Sequence, residues 1–131
     1  MSCAILCFPM SGEGGAREPV ARQRLAPALL HRIERYIDEN LERPIGLPEL
    51  ATVAGLSRWH FLRLFRKTVG VSPHDYVTQR RLERAKHLLR TTDRSVMDIA
   101  AEVGMTHSHF SRVFSRKLGV TPTAFRRRSR P

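Results

Sequence analysis

Hydrophobic positions recur with a helical period along most of the chain. Leu30, Ile33, Ile37 and Leu41 fall at i, i+3, i+7 and i+11, the spacing of one buried face, and predict a helix over about Pro27–Leu41. Pro27 suits its first turn and Pro44 ends the segment. Glu34, Asp38, Glu39 and Glu42 share the opposite face with Arg32 and Arg35, which reads as solvated. Two short helices follow, about Leu47–Ala54 and Ser57–Val69, joined through Gly55-Leu56. Leu50, Ala51, Ala54 and Leu56 are apolar and mostly small, as two helices crossing closely at a steep angle require. Gly55 stands where a left-handed residue ends a helix at little cost. In the second of these helices Phe61, Leu64, Phe65 and Val69 face inward.

Ser72-Pro73, a capping hydroxyl before a first-turn proline, opens a long helix to about Arg90. Its buried side is Tyr76, Val77, Leu82, Ala85, Leu88 and Leu89, and Thr91-Thr92-Asp93 breaks it. Ser95-Val-Met-Asp98 fits a capping box and starts a short helix to about Val103. After Gly104 a helix runs from Thr106 to Leu118, and Thr121-Pro122 caps a last short one. The Arg126–Arg130 run reads as frayed. Met1 to about Arg24, with Gly12, Gly14, Gly15 and Pro19, has no helical period and reads as a disordered or loosely attached tail.

The pattern repeats without a gap. Gly55 returns as Gly104, Gly70 as Gly119 and Pro73 as Pro122, each 49 positions on (104 minus 55). At the same offset Ala51 pairs with Ala100, Phe61 with Phe110, Arg63 with Arg112, Phe65 with Phe114 and Val71 with Val120. Leu50/Ile99, Leu56/Met105, Ser57/Thr106, Leu64/Val113 and Tyr76/Phe125 are close substitutions. One unit, helix-turn-helix followed by a capped helix, is therefore used twice. The expected fold is all-α: seven helices in two helix-turn-helix subdomains, 47–69 and 95–118, joined by a long linker helix. The linker, on the order of 27 Å at ~1.5 Å per residue, compares with the ~34 Å between major grooves on one face of B-DNA. Two recognition helices of a single chain thus suit adjacent grooves, so that a monomer is sufficient for binding.

Charge names the class of partner. Lys and Arg outnumber Asp and Glu by 23 to 12, for a net charge of +11, and no acid follows Glu102. Such a surface points to nucleic acid first and anionic membrane second. Cys3 and Cys7 make no disulfide framework, which sets a reducing, cytoplasmic compartment as the default. The apolar run Cys3 to Met10 is too short for a span and lacks a basic region before it. Cys3 and Cys7 lack companion ligands, and His60 and His109 belong to different units, so no metal or other cofactor is expected. No Ser-His-Asp, Cys-His or paired-carboxylate arrangement with a Gly-rich pocket is present, and the chain does not read as an enzyme.

With Phe61 and Phe65 inward, Arg58, Trp59, Leu62, Arg63 and Arg66 line the other faces of the first candidate reading helix. Arg63 and Arg112, kept by the repeat, are the candidate guanine readers, since a guanidinium fork matches O6 and N7. A surface arginine on phosphate or solvent is the alternative. Trp59 suits a thymine methyl or sugar edge, or else packing against the neighbouring helix, and Leu62 suits a thymine methyl. His107, Ser108 and Ser111 occupy the matching places in the second unit, whose small hydroxyls read less decisively. Arg66, Lys67, Arg116 and Lys117 lie later in the helices and suit phosphates, as do the caps Ser57 and Thr106 at helix N-termini. Arg81, beside Arg80, is placed either on phosphate or in a salt bridge with Asp75 or Glu102.

These residues resemble the DNA-binding domain of the AraC/XylS family of bacterial transcription regulators. The resemblance runs through Glu49-Leu-Ala51, Gly55-Leu-Ser57, Phe61-Leu-Arg-Leu-Phe65, Gly70-Val-Ser-Pro73, Tyr76, Arg81-Leu82, Ala85 and Leu88-Leu89. It continues through Ile99-Ala100, Gly104, Ser108-His-Phe-Ser-Arg-Val-Phe114 and Gly119-Val-Thr-Pro122, and covers about residues 28–128. Ser57-Arg-Trp-His60 is similar to the small stand-alone MarA/SoxS type. The resemblance implies the seven-helix, homeodomain-like fold with the third and sixth helices as readers, double-stranded DNA as partner, and RNA polymerase as a second partner for an activator. Met105 departs from the family's usual phenylalanine, a change of apolar filler. Most members carry an effector-binding domain before this one. The stretch ahead of Pro27 is too short for that, so either a short member or a fragment of a longer one is expected, with no small-molecule effector domain in this chain. A non-specific basic nucleic-acid-binding protein is the alternative function.

Overall fold

The computed structural model describes residues Arg24–Arg130; the cysteine pair and the sequence before Arg24 lie outside them. Seven helices and no strand occur among the described residues: α1 Pro27–Glu39, α2 Leu47–Ala54, α3 Arg58–Val69, α4 Pro73–Thr91, α5 Val96–Glu102, α6 His107–Leu118 and α7 Pro122–Ser129. Each boundary has a local cause. Ser57, Ser72, Ser95, Thr106 and Thr121 are extended and accept a hydrogen bond from the amide three residues on, which satisfies a donor the helix leaves unpaired. Gly55 and Gly104, at φ +72° and +76°, turn the chain between the two helices of each unit.

The first helix ends earlier than its apolar period. Asn40 caps it, and Leu41 is buried from the loop beyond. The domain also begins earlier than residue 28. Leu25 lies in the first core, and its amide donates to Thr68 Oγ1 on α3 at 2.9 Å.

Two cores follow from the repeat. The first gathers Ile33, Ile37, Leu41, Leu50, Phe61 and Phe65; the second gathers Ala85, Leu89, Ile99, Val103, Phe110 and Phe114. Burying one such side chain stabilises by roughly 1.5–3 kcal/mol. The aromatic geometry is duplicated. Phe61 and Phe65 stand 5.6 Å apart and Phe110 and Phe114 5.5 Å. Tyr76 meets Phe65 edge-on at 75°, and Phe125 meets Phe114 at 76°. Met105, the departure from the family pattern, fills the second core.

Helix α4 is shared by both units. Val77 in its first half enters the first core, while Leu82, Ala85 and Leu89 enter the second. Its outward charges are engaged as well. Arg80 forms a two-pronged pair with Asp38 of α1, at 2.8 and 3.1 Å, so the acidic face of α1 is not simply solvated. Arg84 reaches Glu102 of α5 at 3.3 Å, and Arg94 pairs with the same carboxylate. No helix among the described residues is long and apolar enough to cross a membrane.

Candidate nucleic-acid interface

Helices α3 and α6 present the same construction. Ser57 Oγ accepts from the His60 amide at 3.1 Å, and Thr106 Oγ1 from the His109 amide at 3.2 Å. Phe61, Leu64 and Phe65 turn inward on α3, as Phe110, Val113 and Phe114 do on α6. The opposite faces then lie at the surface. On α3, Ser57, Arg58, Trp59, Arg63 and Arg66 are exposed, and Leu62 and Lys67 are half-buried. On α6, Thr106, His107, Ser108, Arg112, Arg116 and Lys117 are exposed and Ser111 is half-buried. The sequence-predicted readers are therefore brought together on one side of each helix. Arg66 and Lys67, like Arg116 and Lys117, lie in the last turn, where a cation also offsets the negative end of the helix dipole.

Trp59 has 76% of its surface exposed, unusual for the largest apolar side chain. With Leu47, Arg58 and Leu62 it lines an open recess of about 260 Å³. Its lining combines three apolar side chains with one cationic one, a combination able to receive a methyl or sugar edge beside a phosphate. In α6 the corresponding positions hold Ser108 and Ser111, which supply hydroxyls and little apolar area.

Arg81 does not join this surface. Its guanidinium is turned inward and donates from Nη2 to the Arg43 carbonyl at 2.8 Å. Burial pushes its pKa down. This bond engages Arg81 within the protein, and neither of its expected salt bridges, to Asp75 or Glu102, forms among the described residues; Glu102 is engaged by Arg84 and Arg94. The C-terminal arginine run is not frayed as a whole. Helix α7 continues to Ser129, and Arg126 donates to the carbonyls of Leu89 and Thr92, each at 3.2 Å. Arg130 bonds the Thr92 carbonyl and Asp93, and that arginine holds the Asp93 carboxyl below its ordinary pKa.

Helix α2 is held against α1 by a cluster that composition did not reveal. Arg43 and the Tyr36 hydroxyl both bond Glu49, and Arg43 Nη2 also reaches Tyr36 at 2.8 Å. The Arg43 guanidinium, then the Tyr36 hydroxyl, hold the Glu49 carboxyl down at about 2. Offset arithmetic would have located Arg130 from Arg81; for Glu49 the sequence signal was only its place in the family motif. His60 and His109 are exposed, and no group of three metal-ligating side chains comes together among the described residues. Cys3 and Cys7 lie outside those residues.

A helix-turn-helix domain family matches residues 50–128, more than half the chain and nearly all of both units. The chain belongs to the AraC/XylS family. Within the family, the regulatory protein SoxS of Escherichia coli K12 is 39% identical over 67 residues, which are 51% of this chain and 63% of that protein. The chain thus spans less than two thirds of this relative. A solved AraC-type transcriptional regulator from Chromobacterium violaceum superposes with a TM-score of 0.73 at 29% identity, covering 78% of this chain and 92% of that one. The DNA-binding domain of AdpA, described as a global transcriptional factor and solved in complex with a target DNA, gives 0.71 at 32% identity, covering 74% and 88%.

Proposed function

We propose that the chain is a sequence-specific duplex-DNA-binding transcription regulator that lays α3 and α6 in adjacent major grooves. The observation that carries this is the duplicated reading head on one shared strut. Helix α4 has 19 residues, about 28 Å at ~1.5 Å each. That is near the ~34 Å repeat of the groove. Relatives named as regulators, and a structural neighbour crystallised on target DNA, support the same reading.

Roles divide by position. Arg63 and Arg112 read bases, with Arg58, Trp59, Leu62, His107, Ser108 and Ser111 beside them. Ser57, Arg66, Lys67, Thr106, Arg116 and Lys117 hold phosphates and fix register. The α3 head is the stronger reader, because Trp59 and Leu62 offer apolar contact where α6 has Ser108 and Ser111. One chain carries both heads, so a monomer binds. RNA polymerase is the second partner, the protein acts at the nucleoid as an activator, and it performs no catalysis and needs no cofactor.

Selection of bound duplexes from a random pool tests this. Two conserved base blocks about one helical turn apart support the reading. Tight binding with no recoverable motif overturns it in favour of non-specific binding by the basic surface.

A further inference from the structure

The two reading heads are not joined by α4 alone. A Cβ built on Gly104 would stand 2.5 Å from the Leu41 carbonyl oxygen and 3.2–3.3 Å from the Arg81 guanidinium. Gly104 is the turn of the second unit, Leu41 follows the first helix of the first, and Arg81 lies on the shared strut. The equivalent glycine of the first unit, Gly55, has nothing within 4 Å of the same point. Both glycines need their left-handed backbone, at +72° and +76°; only Gly104 also needs to be bare. Arg81 closes the same place from the other side through its hydrogen bond to the Arg43 carbonyl.

We infer that Leu41, Arg81 and Gly104 form a joint that fixes the separation and rotation of α6 relative to α3, and so sets the spacing of base blocks the chain accepts. Arg81 and Gly104 are positioning residues in this role. They touch no DNA and act by stopping the second head from swinging about α4. A packed interface changes by discrete steps, so loosening it releases a range of head orientations. An inserted base pair displaces one block by about 3.4 Å and rotates it by about 35°. A rigid joint refuses that change and a loose one follows it. The DNA part of this inference rests on the two-groove reading; the joint itself does not.

Two measurements keep these apart. In a Cys3→Ser, Cys7→Ser background, spin labels on His31→Cys of α1 and Ala101→Cys of α5, both exposed positions, report the distance between units without DNA. A single narrow distribution is expected. Gly104→Ala, which must move the Leu41 carbonyl by about 1 Å to reach ordinary contact at 3.4 Å, shifts it. Arg81→Ala, which adds no bulk and needs no positive φ, broadens it. Gly55→Ala has the same backbone strain without the contact and leaves it in place. Unchanged distributions in folded Arg81→Ala and Gly104→Ala, or an equal shift in Gly55→Ala, overturn the joint. On the selected duplex, one inserted base pair between blocks costs the native chain about tenfold in affinity, comparable to one wrong base pair. In Arg81→Ala the cost falls to about threefold or less. A retained tenfold cost overturns the role in spacing. If the label distances respond but no two-block site exists, the joint stands and the DNA reading falls.

Discussion

Arg81 and Arg130, 49 positions apart, make the same hydrogen bond in the two units. Arg81 Nη2 donates to the carbonyl of Arg43, and Arg130 Nη2 to the carbonyl of Thr92. Those acceptors are themselves 49 apart. In both arginines the Nε is buried without a hydrogen bond among the described residues. Arg81 ties α4 to the loop after α1, and Arg130 ties the end of α7 to the loop after α4. Arg130→Ala is expected to destabilise the protein by about 1.5–3 kcal/mol, the range for a hydrogen bond to a charged group. Amide exchange in α7 should quicken by more than in α2. Equal protection of α7 in the variant would contradict the clamp.

Much of this was legible beforehand, because caps, turn glycines and core aromatics are local signals. Ser57, Gly70, Ser72 and Thr106 mark helix ends by their own chemistry, and Phe61 and Phe65 mark a face by spacing. The clamps were not legible. Arg81 answers a carbonyl 38 positions away, and no side-chain pattern encodes an acceptor in the backbone. Arg126 and Arg130 sit in a run of cations, whose composition describes solvent and hides the inward ones. Leu25 adjoins a stretch with no period, so nothing in its spacing marks it as core. On the candidate interface, residue spacing marks the exposed faces of α3 and α6, whereas nothing in the spacing of α4 marks the inward turn of Arg81.

Base reading and phosphate holding should separate by mutation. Arg63→Ala is expected to cost ~1–3 kcal/mol on the selected duplex and to relax one base position. Arg116→Ala should weaken all duplexes alike and reduce the slope of log affinity against log salt by about 1. Competition binding across single-base variants at two salt concentrations checks both. Indistinguishable profiles would contradict the division of roles.

Trp59 is the only tryptophan in the chain, so its emission reports on the α3 head alone. It is largely exposed and buries little in the free protein, so Trp59→Ala should change the unfolding midpoint only slightly. Saturation with the selected duplex should shift and quench the emission as the indole leaves water. An unchanged spectrum at saturation would place Trp59 outside the contact.

The Glu49 cluster makes the α1–α2 packing acid-sensitive. Its carboxyl is depressed from an ordinary 4.5 to about 2 in the folded protein. The sign follows by linkage: the contribution is complete above about 4.5 and is lost as pH falls towards 2. Glu49→Gln should lower stability at pH 7 and flatten the stability profile between those limits. Urea melts at stepped pH check this, and parallel profiles for native and variant would contradict it.

The central claim is that one chain reads two grooves. Hydroxyl-radical footprinting of a complex shown by sedimentation to hold one chain per selected duplex tests it most directly. Two protected patches on one face of the DNA, about one helical turn apart, are expected, with Arg112→Ala weakening one patch and Arg63→Ala the other. A single patch in the one-to-one complex, or two patches only when two chains are bound, would contradict it.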